Sequence, residues 1–223
     1  MTILSPADAS YGILRRAVQA GALAIAALLF LATPAAAKPL KLVALGDSLT
    51  AGYGLPPGQA FPDALARALK SRGWEVEVVN AGVSGDTAAD GLARFDWSVP
   101  AGADALIVEL GANDMLRGAD PAATEATLST ILAKARDGHM ATLLAGMLAA
   151  PNYGADYQRR FDAIYPELAQ RFGVTLYPFF LDGVAADPSL TLGDGLHPNR
   201  AGVERIVEGI LPSVEAVLAQ AKR

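Results

Sequence analysis

Short apolar runs alternate with amphipathic stretches along the chain from about residue 39 onward. Residues 42–45 are continuously apolar and stop at Gly46, where small and polar residues take over, which predicts one buried strand. Residues 61–72 place Leu65, Ala68 and Leu69 on one helical face, with Pro62 near the start and Gly73 as the stop. Residues 74–79 alternate and then end apolar, as expected of a strand at a sheet edge where one face can be wet. A loop over 80–87 leads to a short helix over 88–95, capped by Asp86 or Thr87. Residues 105–110 predict a third, deeply buried strand, 121–136 a helix and 142–147 a fourth strand. A longer loop over 148–154 precedes a helix over 156–172, a fifth strand over 174–177, irregular chain over 178–193 and a closing helix over about 201–219. Strands alternating with helices imply right-handed crossovers and a parallel sheet covered on both faces.

The first 37 residues depart from this alternation. Asp8 is the only charge among residues 1–14; Arg15-Arg16 follows, then an apolar stretch over 20–32, then Ala35-Ala36-Ala37. A positive flank, a short apolar core and small residues at −3 and −1 describe a cleavable secretory signal cut after Ala37, leaving one domain over 38–223. The 13 apolar positions fall short of the roughly 20 that span a hydrocarbon core, which argues against a retained anchor. Arg15-Arg16 also fits a twin-arginine export signal, ranked second because paired basic residues occur in ordinary leaders. The leader predicts a periplasmic or secreted protein.

Composition narrows the partners. The formal net charge is −5, and the leader holds two arginines against one aspartate, so the remainder is more acidic still. Such a surface opposes nucleic acid and anionic headgroups. The chain has no cysteine, which excludes disulfides, thiol catalysis and lipid attachment at a cysteine. The fold must rest on its core alone, which a domain of this length can supply.

Three separated segments carry candidate chemistry. Ser48 follows the first strand within Gly46-Asp47-Ser48-Leu49, at the carboxyl edge where open parallel sheets hold their ligands. A serine there commonly just caps a helix, so what singles this one out lies downstream. Asp194-Gly195-Leu196-His197-Pro198-Asn199 offers an acid and an imidazole three residues apart, and Gly111-Ala112-Asn113-Asp114 offers a side-chain amide after an apolar run. These are the parts of a serine hydrolase. The other histidine, His139, has no acid at useful spacing and is assigned a structural role.

These blocks, together with Gly82 in Asn80-Ala81-Gly82-Val83-Ser84-Gly85-Asp86-Thr87, give the chain a sequence that resembles the SGNH (GDSL-type) hydrolases. Within that family it is most similar to the periplasmic thioesterase I / lysophospholipase L1 / arylesterase branch, through Ala51-Gly52-Tyr53, Leu116-Arg117-Gly118, Pro151-Asn152-Tyr153-Gly154 and His197-Pro198-Asn199-Arg200. The resemblance implies a three-layer α/β/α fold with a five-stranded parallel sheet in the flavodoxin-like order 2-1-3-4-5. It implies a serine esterase acting on aryl esters, short to medium acyl esters, lysophospholipids and acyl thioesters. It also implies that the matching loop over 148–154, with Leu148, Pro151 and Tyr153, walls an acyl groove.

In that reading Ser48 is the nucleophile and needs a base, because a free hydroxyl is a weak nucleophile at neutral pH. Asp194 can reach Nδ1 of His197 within one turn while Nε2 faces Ser48, and Pro198 restricts the backbone that holds the ring. The expected oxyanion hole comprises the backbone N–H groups of Ser48 and Gly82 and the side-chain amide of Asn113, each contributing about 3 kcal/mol to transition-state stabilisation. Gly82 is expected to lack a side chain so that backbone can approach the substrate. Asp47 and Asp114 are assigned to loop and helix-start roles, Asn199 to a cap before the last helix. No acid here has a metal-ligand partner at recognisable spacing, so no cofactor is implied. The expected partner is a small acyl ester met by a monomer with no stable membrane anchor.

Two rivals remain at this level. One is a carbohydrate deacetylase of the same family, disfavoured by an aromatic content of only 7%. The other is a non-catalytic periplasmic binding module gripping phosphate at Gly82 to Gly85, which would need a fuller glycine fingerprint. An α/β-hydrolase is disfavoured because no Gly-x-Ser-x-Gly surrounds Ser48.

Overall fold

Each predicted apolar run becomes a strand. The computed structural model describes residues 38–222; the predicted signal over 1–37 and its cleavage point lie outside the described residues. β1 (Leu40–Gly46) pairs in parallel with β2 (Val76–Gly82) on one side and β3 (Ala105–Glu109) on the other, and β4 (Ala141–Ala145) and β5 (Thr175–Tyr177) extend the sheet. The order is β2-β1-β3-β4-β5, all parallel, as the resemblance implies.

The apolar content of each strand follows its place. Leu42, Val43, Ala44 and Leu45 of β1 and Leu106, Ile107 and Val108 of β3 are wholly buried, because helices cover the middle of the sheet on both faces. β2, at the edge, is only half-buried along its length. On one face lie α2 (Phe61–Ser71) and α9 (Arg200–Ala221), packed on each other; on the other lie α3 (Ala88–Ala93), α6 (Pro121–Asp137) and α8 (Ile164–Phe172).

The structure corrects several boundaries. The helix predicted over 156–172 is two, α7 (Ala155–Asp162) and α8, broken where Pro166 has no N–H for the carbonyl of Asp162. The helix predicted over 88–95 ends at Ala93, where Arg94 leaves helical geometry with φ −100° and ψ 4°, and a short α4 (Phe95–Ser98) follows. Thr87 rather than Asp86 caps α3, reciprocally with Asp90. β2 continues to Gly82, so the block predicted as loop begins on the sheet. Besides α4, three short elements lie outside those the sequence predicts: α1 (Ser48–Ala51), α5 (Ala112–Leu116) and a 3₁₀ turn (Pro151–Tyr153). All three follow strand ends on the same edge.

Candidate active site

Strand register sets the edge on which Ser48 falls. Gly46 pairs with Gly82 on one side and with Glu109 on the other, so the segments following all three meet at one place. Asp47 caps α1 by accepting the Leu49 N–H at 3.0 Å, which presents Ser48 in the first turn.

His197 arrives from the far end of the chain. A single antiparallel bridge between Thr191 and Pro198, reinforced by the Leu192 N–H donating to the His197 carbonyl at 2.7 Å, ties off a tight loop. Within it Asp194 Oδ1 accepts the N–H groups of Leu196 and His197, and Oδ2 lies 2.7 Å from His197 Nδ1. His197 Nε2 lies 2.9 Å from Ser48 Oγ. Those hydrogen bonds, from the backbone of His197 and Leu196 first and the imidazole next, hold the Asp194 carboxyl down at about 2. It is therefore an anion at any pH where the imidazole can act as a base. The Tyr53 ring meets the imidazole at a tilt of 37° with centroids 4.5 Å apart, a contact that nothing near either residue in the chain predicts.

The opposite wall is buried and carries residues whose partners are remote in sequence. Asn113, on α5, donates one amide N–H to Asp47 Oδ2 and the other to the Asp86 carbonyl, each at 3.0 Å. Glu109, wholly buried at the end of β3, accepts from the Thr50 hydroxyl at 2.7 Å and lies 3.4 Å from the Asp47 N–H, while its Oε1 has no protein partner. Burial pushes Asp47 up to about 6, and it pushes Glu109 well above the carboxylate range with help from the charge of Asp47. Arg94, also buried, spans Asp86 and the Gly46 carbonyl, tying the loop after β2 to the base of the nucleophile loop. Glu109 and Arg94 were missed because their neighbours in sequence say nothing of their partners in space.

Among the expected oxyanion donors, Asn113 and Gly82 are both brought against the nucleophile loop, but with resident acceptors. The Gly82 N–H donates to Asn80 Oδ1 at 2.9 Å, and both Asn113 protons are engaged, so an oxyanion would have to take over or share such bonds. A Cβ at Gly82 would sit 2.3 Å from the Ala51 nitrogen, so the lack of a side chain there also lets β2 meet α1.

The proposed groove wall lies on the next loop along the same edge. Leu148 is 45% exposed, Pro151 opens the 3₁₀ turn, and Tyr153 donates its hydroxyl to the Leu116 carbonyl at 2.9 Å. Asp114 is a strut, accepting from the Ala88 N–H and the Thr124 hydroxyl, and Asn199 caps α9 by accepting from the Gly202 N–H. His139 sits in the left-handed turn after α6. Among the described residues no group of three or more histidine, aspartate or glutamate side chains is disposed to hold a metal ion.

Comparison with known proteins places this geometry. The model of the GDSL-like lipase/acylhydrolase family matches residues 44–205. Esterase TesA of Pseudomonas aeruginosa is 39% identical over 193 residues, covering 86% of this chain and 95% of the relative. Thioesterase 1/protease 1/lysophospholipase L1 of Escherichia coli K12 is 42% identical over 175 residues, covering 77% and 82%. The crystal structure of AlinE4, described as an SGNH-hydrolase family esterase, superposes with a TM-score of 0.68 at 46% identity, covering 81% of this chain and 97% of that one.

Proposed function

The chain belongs to the GDSL-like lipase/acylhydrolase family and is a carboxylic ester hydrolase, and we propose that Ser48 is its nucleophile, His197 its general base and Asp194 the acid that orients the base. The observation that supports these roles is the unbroken run of contacts from Asp194 Oδ2 through His197 to Ser48 Oγ, at 2.7 and 2.9 Å. Ser48 Oγ attacks the ester carbonyl carbon as His197 Nε2 takes its proton, and Asp194 stabilises the imidazolium. The tetrahedral oxyanion is met by the Ser48 and Gly82 backbone N–H groups and the Asn113 amide. Collapse expels the alkoxide or thiolate with the proton from His197, leaving an acyl-enzyme. Water then enters, gives its proton to His197 and releases the acid as Ser48 is reprotonated.

The rim favours an acyl chain over a sugar. Tyr53, Val83, Leu116, Leu148 and Leu196 are exposed apolar side chains at the carboxyl edge, each within five positions of a site residue. Burying a chain along such a surface gains about 0.8 kcal/mol per methylene. Aryl esters, short to medium acyl esters, lysophospholipids and acyl thioesters are therefore the proposed substrates. No described helix is long and apolar enough to cross a membrane, and the leader composition supports export to the periplasm or beyond.

Fluorophosphonate labelling tests the nucleophile: the intact enzyme becomes covalently modified and Ser48→Ala does not. Unlabelled, folded wild-type protein would remove Ser48 from the reaction. A panel of p-nitrophenyl esters tests the groove, with activity expected to rise from two carbons towards six or eight. A profile that falls after acetyl would favour the deacetylase reading.

A further inference from the structure

A ladder of aromatic side chains meets the segment that carries Asn113. Tyr153, Tyr157, Phe161 and Tyr165 recur every four positions, from the 3₁₀ turn through α7 into α8, and their rings contact in sequence with centroids 5.1, 6.0 and 5.9 Å apart. All three tyrosine hydroxyls donate to main-chain carbonyls of one ten-residue segment. Tyr165 donates to Leu110 at 3.0 Å, Tyr153 to Leu116 at 2.9 Å and Tyr157 to Ala119 at 3.0 Å.

That segment contains α5, which carries Asn113. A helix of five residues has too few internal hydrogen bonds to fix itself, so its placement depends on what grips its ends. Tyr165 grips the carbonyl just before the Gly111 cap, and Tyr153 satisfies a carbonyl of the last turn that has no partner within the helix. The fit at the first end is close. Gly111 has φ 113°, and a Cβ there would lie 2.2 Å from the Tyr165 hydroxyl oxygen, so that hydroxyl fills the space a side chain would need. Burial raises the Tyr157 and Tyr165 phenols above their ordinary range, so both remain donors throughout the working pH of an esterase.

We propose that Tyr153, Tyr157 and Tyr165 are positioning residues for oxyanion stabilisation: their hydroxyls clamp both ends of α5 and hold the Asn113 amide at the distance the tetrahedral intermediate requires. The clamp rests on the reading of Asn113 as an oxyanion donor. It also ties the rim to the chemistry, because Tyr153 stands in the proposed acyl wall.

The test is a double-mutant cycle in kcat on p-nitrophenyl butyrate, with Tyr165→Phe, Asn113→Ala and the pair. Asn113→Ala should lower kcat about 100-fold, and Tyr165→Phe about tenfold with KM held within about twofold, as expected for a group acting only in the transition state. The pair should match Asn113→Ala within about twofold, since there is nothing left to position. Multiplication of the two losses, or an unchanged kcat in Tyr165→Phe, overturns the clamp. An unchanged kcat in Asn113→Ala overturns the oxyanion role beneath it as well, which separates the two failures. Should Tyr165→Phe not fold, the same cycle with Tyr153→Phe, at the partly exposed end of the ladder, decides on the same terms, with an expected loss of about threefold.

Discussion

The two sides of the active site are built on opposite principles. Asp194 and His197 are neighbours in sequence, lie in a tight loop at the surface and owe their geometry to hydrogen bonds made within a few residues. Asp47 follows β1, whereas Glu109 ends β3 and Asn113 lies on α5 just after it, and the two segments are joined beside Ser48 by contacts about 60 residues apart in sequence. The electrostatics diverge accordingly. The exposed acid, met by N–H donors, is pulled down to about 2; the buried acids are pushed up, Asp47 to about 6 and Glu109 well above the carboxylate range. An acid that must orient an imidazole is kept charged by local donors, whereas acids that shape a loop tolerate desolvation because their task is to accept hydrogen bonds.

The sharpest way to break this contrast is to remove the exposed pair. His197→Ala should lower kcat by about 10⁴-fold or more with a thermal midpoint close to wild type, and Asp194→Asn by about 10²–10⁴-fold with a small loss of stability at neutral pH. A large fall in stability with little loss of rate in the folded fraction would show that the loop is structural instead. The complementary change on the buried side is Gly46→Ala. Its Cβ would lie 2.1 Å from the Thr50 hydroxyl oxygen and 2.6 Å from Glu109 Oε2, so denaturant unfolding should register a loss of about 3 kcal/mol.

Opposite pKa shifts give opposite pH slopes. Asp194 is lowered, so its contribution to stability is present above the unfolded value near pH 4 and is lost as pH falls through about 2. Asp47 is raised, so its neutral form costs nothing below about pH 4, and stability is lost as pH rises through about 6. Urea unfolding between pH 3 and 8 should therefore show Asp47→Asn gaining on wild type as pH rises, while the deficit of Asp194→Asn shrinks towards the acid end. Parallel curves for all three proteins would erase the distinction. The smallest expected effect is at Asn199, which caps α9 and also donates to the Ser189 and Thr191 carbonyls. Asn199→Ala should cost about 1 kcal/mol in the same measurement, with kcat nearly unchanged because the Asp194–His197 contacts do not pass through it.

Much of this arrangement was legible before any coordinates, and the reason is its locality. The apolar run ending at Gly46 marks a strand end, and the three-residue spacing of Asp194 and His197 suffices for one turn to join them, so the three side chains proposed as nucleophile, base and acid could be picked out from residues alone. The break at Ala163 is equally local, carried by Pro166, even though an aromatic stripe at helical spacing runs straight through it. Glu109 shows the other case. It lies in a segment read only as a buried strand, and nothing near it indicates that Thr50 and Asp47 neutralise part of its cost.

By itself, then, the sequence determined the alternation of strands and helices, the edge on which the chemistry falls and the local acid–base pair, because each depends on periodicity or on groups within one turn. Only the tertiary structure decided which acids lie under the nucleophile, which acceptors occupy the amide of Asn113 and which hydroxyls grip the helix that carries it. Those contacts are set by strand register and helix packing, where the decisive distance is through space and bears no fixed relation to distance along the chain.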